Sequence, residues 1–331
     1  MYKAFRKFFT STTTILLAIT KNTKSTLTSS ISTNTTKTMS TPTPTIKIIP
    51  NKMLYVSEPN PRMFGNPGNE GEFNPEWTNK NWLKSKFHFN FAEYRNPLNP
   101  SFGVLKVMND DVVQPHRGFG SHPHGDMEII TYIVNGELTH QDSHGNKESL
   151  GRGSIQFMSA GTGVIHSEFN HGDKPLRFIQ TWINPSHHGL PSNYGSYNGN
   201  GNENTNANNN GRKNNKNQLQ HLVSDIKNDD IQTPVKISQD VNVHATELDL
   251  GKKVMYKLPE GRQAYLVCLE GQIRVNGKIL ERQDACEITA AGGGAIELEA
   301  TKVEDTENGG KVAHILIFSM KEVPGSGRKD V

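Results

Sequence analysis

The stretch GSHPHGDMEIITY, residues 120–132, sets His122 and His124 one residue apart, just ahead of an alternating apolar run. On an extended strand residues i and i+2 point to the same face, so both imidazoles can meet one ion. The pair alone carries little information. With 13 histidines in 331 residues, H-x-H arises by chance about once in every two such chains, so two unrelated strand histidines is the competing explanation. A second pair shifts the balance. In GTGVIHSEFN, His166 and Glu168 repeat the same spacing. Neighbouring strands sharing an inward face would bring three neutral nitrogens and one carboxylate together. That donor set suits a divalent first-row metal and leaves positions open for substrate or dioxygen. Iron, manganese, nickel, copper and zinc all accept it.

The elements that must carry these residues are strands. From about Ile46 the chain shows short apolar runs, such as FGVLKVMND, MEIITYIVNGELTHQDSHGN and PLRFIQTWINP, broken by Gly, Pro, Asn and Asp. Apolar residues recur at every second position, which predicts an all-β protein of antiparallel strands closing into a sandwich or barrel. EGQIRVNGKILERQDACEITA can be laid on NGELTHQDSHGNKESLGRGSIQFMSA, matching Gly136 with Gly271, Leu138 with Ile273, Gly145 with Gly277 and Leu150 with Leu280. One strand–turn–strand unit used twice predicts two similar barrels in tandem; shared hairpin turn chemistry is the competing explanation.

Four segments are expected. Residues 1–45 are rich in Ser and Thr, carry Lys3, Arg6, Lys7, Lys21, Lys24 and Lys37, and hold no acid before Glu58. They suit a transit peptide, a secretory signal, a disordered leader without address, or a tail that a start at Met39 would skip. Residues 46–190 form the metal-binding barrel. Residues 191–219 hold an Asn/Gly tract too poor in apolar groups to offset chain entropy, expected as a disordered insert. Residues 220–325 form the second barrel.

Composition narrows the function. A formal charge of +3, with dispersed basic residues, argues against direct nucleic-acid binding. No run of about 18 apolar residues is present, so no membrane-spanning helix is expected. Cys268 and Cys286 are too few for a disulfide scaffold or a cysteine zinc site and are expected as packed thiols. His116, His140, His144, His171, His187 and His188 lie in turn-like contexts and are expected to be solvated, although His140 or His144 could line the hairpin near the site.

GFGSHPHGDMEIITYIVNGELTHQDSHGN followed by GSIQFMSAGTGVIHSEFN resembles the N-terminal metal-binding domain of the pirins, members of the cupin superfamily. The likeness runs from about Trp82 to Pro185, and more loosely over 240–320. The resemblance implies a bicupin, two tandem jelly-roll barrels, with metal ligands His122, His124, His166 and Glu168 and most naturally Fe(II). It also implies a quercetin 2,3-dioxygenase-like oxidoreductase acting on a small aromatic substrate and dioxygen, with Glu168 as proton acceptor. The alternative it carries is an iron-dependent redox-sensing co-regulator acting through a protein partner. The chain is expected to be a monomer in the cytoplasm or mitochondrion, or the nucleus under the regulatory alternative.

Departures from the wider cupin pattern matter. His116 and Glu128 stand where that pattern has a glycine and a ligating Glu. In the pirins the carboxylate comes instead from the second motif, as Glu168 does here, so the resemblance implies that Glu128 is no ligand and faces outward or supports a ligand from behind. Asp126 and Glu128 are both candidates to accept a ligand imidazole's second proton. In the second half EGRQAYLVCLEG offers only Gln263 and Tyr265 in place of H-x-H, so that barrel is expected to hold no metal.

Overall fold

A computed structural model describes residues 43–68, 82–199, 216–290 and 292–329. The leader through residue 42, with its transit, signal and disordered readings, and residues 200–215 of the Asn/Gly tract, expected as a disordered insert, lie outside the described residues. Among the described residues no helix is long and apolar enough to cross a membrane.

Two eight-strand units follow one another. The first comprises β1 (Leu105–Val113), β2 (Arg117–His124), β3 (Glu128–Asn135), β4 (Leu138–Asp142), β5 (Lys147–Leu150), β6 (Ile155–Ser159), β7 (Val164–Asn170) and β8 (Leu176–Ile183). The second comprises β9 (Val241–Leu248), β10 (Lys253–Leu258), β11 (Arg262–Glu270), β12 (Gln272–Val275), β13 (Lys278–Glu281), β14 (Ala285–Thr289), β15 (Gly294–Lys302) and β16 (Lys311–Lys321). The order β6-β3-β8-β1 forms the centre of a seven-stranded sheet in the first unit, and β14-β11-β16-β9 the centre of an eight-stranded sheet in the second. The small sheets run β2-β7-β4-β5 and β10-β15-β12-β13. Strand n thus corresponds to strand n+8 throughout. Each unit is a jelly roll of two facing sheets rather than a continuously hydrogen-bonded barrel.

The hairpin repeat seen in sequence has a structural counterpart. Leu138 pairs across β4–β5 with Leu150, and Ile273 pairs across β12–β13 with Leu280. Gly136 and Gly271 both take left-handed φ, 77° and 75°, at the tight entry to these hairpins. A Cβ on Gly271 would lie 2.5 Å from the Lys302 carbonyl oxygen, so only glycine fits there.

The outer faces of the two large sheets pack on each other. Ile130, Tyr132 and Val134 of β3 share one core with Tyr265, Val267 and Leu269 of β11, while Ile133 and Leu266 face their own jelly-roll interiors. Burial on both faces explains why EIITYIVN and AYLVCLE read as nearly unbroken apolar runs instead of alternating ones. Cys268 and Cys286 are buried free thiols in the second interior, and burial pushes both well above the usual thiol range, which keeps them unreactive.

Edge strands cross the segment limits read from sequence. Thr45–Ile49, from the start of the first half, pairs with β14 at the edge of the second large sheet. Asn193–Tyr197, expected from composition to be loop, pairs with β6 at the matching edge of the first. Composition missed it because an edge strand draws its stability from ladder hydrogen bonds and the neighbouring surface, not from its own apolar content. Ile49 is 1% exposed and seals the core between the large sheets. Ile49→Ala is expected to cost about 2–5 kcal/mol, read as a lower urea midpoint with unchanged slope; a midpoint equal to that of an exposed control, Lys52→Ala, would show the strand to be dispensable.

Candidate metal centre

β2 and β7 are adjacent in the small sheet, and His122 lies directly opposite His166 in the ladder. Gly118 makes the close approach possible: a Cβ there would stand 2.3 Å from the Glu168 carbonyl oxygen. The side chain of Asn66 clamps the same residue, donating to its carbonyl at 2.8 Å and accepting from its N–H at 3.0 Å. This fastens the turn Pro61–Phe64 beside the site, where the Phe64 ring meets His122 edge-on with centroids 5.7 Å apart. The indole of Trp182 on β8 stands nearly perpendicular to His124 at 4.8 Å.

His122, His124 and His166 each offer a ring nitrogen, and the three atoms lie within 4.8 Å of one another. The His122 and His166 Nε2 atoms are 3.0 Å apart. Two cis ligands at about 2.1 Å from one octahedral ion would be about 3 Å apart, so the spacing fits a shared metal. Protonation state fits too. Burial, then the neighbouring imidazoles, pushes His124 and His166 down to about 3, leaving them neutral at pH 7 as ligation requires. His122 Nδ1 lies 2.7 Å from the Gly120 carbonyl, which can only accept. Its proton therefore sits on Nδ1, and Nε2 presents a lone pair.

Glu168 is not part of this close-set group. A register irregularity between His166 and Glu168 offsets the ladder, pairing Glu168 with Phe119. Its buried carboxylate accepts from Gln156 Nε2 at 3.0 Å and Gln180 Nε2 at 2.8 Å, and lies 3.5 Å from the Thr131 hydroxyl. Glu128 neither faces outward nor supports a ligand: at 1% exposure it accepts from the Ser238 and Gln239 backbone N–H groups, tying β3 to the second half. Asp126 accepts instead from the Gly189 N–H. The supports of the imidazoles are the Gly120 carbonyl and His140. His140 was expected to be solvated, but it is 0% exposed on β4, with Nε2 3.1 Å from His166 Nδ1. The signal was the alternation in LTHQD, which puts His140 on the same face as Leu138. His116 does stay exposed, beside Asp173.

The second jelly roll has different residues at the matching positions. Tyr256 pairs with Ile296 on β10–β15 as His122 pairs with His166, and Leu258 stands where His124 does. Registers through β12 agree, setting Leu298 against Val275 as Glu168 lies against His140. The counterparts of the H-x-H pair are thus Tyr256 and Leu258, not Gln263 and Tyr265, because the pair belongs to the small sheet and the other two residues to β11. All four counterparts are buried in the second core.

Trp182, whose ring meets His124, packs together with Met127 and Tyr194 on Ile129, Met158, Ala160 and Val164. A cavity of about 280 Å³, lined by Asp142, Met158, Val164, Ser192 and Tyr194 among others, opens next to this apolar wall.

Residues 72–183 match the family model described as Pirin, and residues 222–318 match that of the quercetinase C-terminal cupin domain. A pirin-like protein of Caulobacter vibrioides is 37% identical over 207 residues, covering 62% of this chain and 84% of its own. Quercetin 2,3-dioxygenase of Escherichia coli K12 is 32% identical over 226 residues, 68% of this chain and 85% of its own. Among solved structures, a bacterial pirin of Escherichia coli in complex with nickel(II) superimposes with a TM-score of 0.63 at 28% identity, over 84% of this chain and all of the other. These bacterial relatives lend no support to a mitochondrial or nuclear address.

Proposed function

The chain belongs to the pirin family, and on that premise we propose that it is a metal-dependent dioxygenase acting on a flavonol of the quercetin kind or a related enolic aromatic. The observation that carries the proposal is the trio of imidazoles within 4.8 Å, set beside an apolar wall that includes Trp182. His122, His124 and His166 would hold one divalent first-row ion per chain, with Fe(II) the first choice and nickel the ion named for a solved relative. When bound, such an ion supplies Lewis acidity and a path for electrons to dioxygen.

The chain's own residues do the rest. Trp182 and Met127 offer a flat apolar surface for an aromatic ring and keep bulk water from it. Glu168 would take the proton of the enolic hydroxyl and would be the carboxylate available to the ion beside the three imidazoles. Gln156 and Gln180 hold that carboxylate by donating their amide N–H groups to it. The second jelly roll, with Tyr256, Leu258, Ile296 and Leu298 at the matching positions, holds no ion and supports the first through the shared core.

The test is oxygen uptake with quercetin after anaerobic loading with Fe(II), Mn(II), Ni(II) or Cu(II), alongside elemental analysis. Uptake with one metal per chain supports the reading; one metal per chain without uptake turns it toward a sensor that acts through a protein partner. Glu168→Gln is expected to keep the metal on the three imidazoles and to lower kcat by roughly 10²–10⁴-fold, the range for loss of a general base. An unchanged kcat would remove Glu168 from the chemistry.

A further inference from the structure

Three imidazoles form a hydrogen-bonded row. His122 Nε2 lies 3.0 Å from His166 Nε2, and His166 Nδ1 lies 3.1 Å from His140 Nε2. The row ends at His140 Nδ1, a buried atom with no hydrogen-bond partner among the described residues. His140 is held in plane by Tyr194, whose ring stacks on it at 4.8 Å and 9° while its hydroxyl donates to Glu148 at 3.1 Å. Tyr194 belongs to the edge strand Asn193–Tyr197.

We propose that His140, locked by Tyr194, is a positioning residue that decides which nitrogen of His166 is offered to a metal. The inference rests on the metal reading above and extends it beyond the ligands. With His122 protonated on Nδ1, the proton between the two facing Nε2 atoms belongs to His166 when no ion lies between them. His166 Nδ1 is then a lone pair that accepts from His140 Nε2–H. An ion shared by His122 and His166 needs both Nε2 lone pairs, so the His166 proton must move to Nδ1 and donate to His140 Nε2. His140 in turn carries its own proton on Nδ1. Loading therefore switches two tautomers in concert, and His140 is the acceptor that fixes the ring of His166 and strengthens it as a donor to the metal. The N–H without a partner is moved one ring away from the ligand. An amide oxygen at position 140 would accept the same proton.

Co(II) titration followed by proton NMR tests this. In the wild-type chain the hyperfine-shifted N–H of His166 should exchange slowly with solvent, since His140 covers it. His140→Phe should bind Co(II) on the order of 10-fold more weakly or worse, within the range for losing an outer-shell partner, and its His166 N–H signal should shift or vanish. His140→Gln should restore at least wild-type affinity and the signal. A phenylalanine variant that binds like wild type with the signal unchanged would overturn the inference, as would fast exchange of the His166 N–H in the wild-type chain, which needs no variant to fold. If the wild-type chain takes up no Co(II), the metal reading itself falls, a result separate from any difference among variants.

Discussion

His124→Ala is expected to abolish stoichiometric metal uptake while leaving the metal-free fold intact. His124 is the cleanest of the three imidazoles to remove, because its ring meets Trp182, His122 and His166 edge-on and is only half-buried. Its loss leaves two imidazoles and a carboxylate tied to two amides. The fall in oxygen uptake should exceed the roughly 10–100-fold expected for an outer-shell partner. Thermal melting separates this from misfolding. A ligand binding only the native state at about 100 times its Kd adds about 2.7 kcal/mol, so metal should raise the melting temperature of the wild-type chain and not that of the variant. Without metal the two should melt together to within about 1 kcal/mol. A variant that still gains stability from metal would mean the site lies elsewhere. His166→Ala is the harsher companion, since it also strips His122 and His140 of their ring partners.

The strand positions of the trio were legible because period-2 spacing translates directly into a shared face. His122 and His166 needed only to be on neighbouring strands, and the apolar alternation around them supplied those strands. What lay beyond reading was set by registers between distant strands. The irregularity after His166 shifts the register at Glu168, and nothing in HSE marks it. Glu128 illustrates the same point: its partners, the backbone of Ser238 and Gln239, lie 110 residues on or more. His140 carried a usable signal in LTHQD, but its role depends on a ladder that sets it opposite Glu168. The two-unit architecture was visible through the hairpin repeat, whereas the crossing of Thr45–Ile49 into the second sheet was not, since an isolated TIKII specifies a strand and no partner.

The largest stability effect is expected from Arg152, which joins the two units. It is 2% exposed and gives Nη1 to the Val134 carbonyl at 2.6 Å. It grips Glu270 through Nη1 at 3.1 Å and Nη2 at 2.5 Å, and reaches Glu247 through Nε at 3.0 Å. His314 completes the row, with Nδ1 3.0 Å from Glu270 and Nε2 2.8 Å from the Tyr132 hydroxyl. Arg152→Ala leaves a buried carboxylate with His314 alone, and removing one partner of such a pair costs about 3–5 kcal/mol. Arg152→Met combined with Glu270→Gln removes both charges and should cost clearly less than the sum of the single changes. A double-mutant cycle in urea with no coupling would show that the groups act independently.

Acidity gives an orthogonal check. Burial alone would raise Glu270, but hydrogen bonds from His314 and Arg152, followed by their charges, hold it well below the usual carboxylate range. A carboxylate depressed in the folded state contributes stability that is fully present above its unfolded pKa, about 4.3, and is lost as pH falls toward the folded value. Unfolding free energy should therefore drop as pH falls below about 4.3, and Glu270→Gln should drop less steeply over the same interval. Equal slopes would place the acid sensitivity in other carboxylates and leave Arg152 with a packing role only.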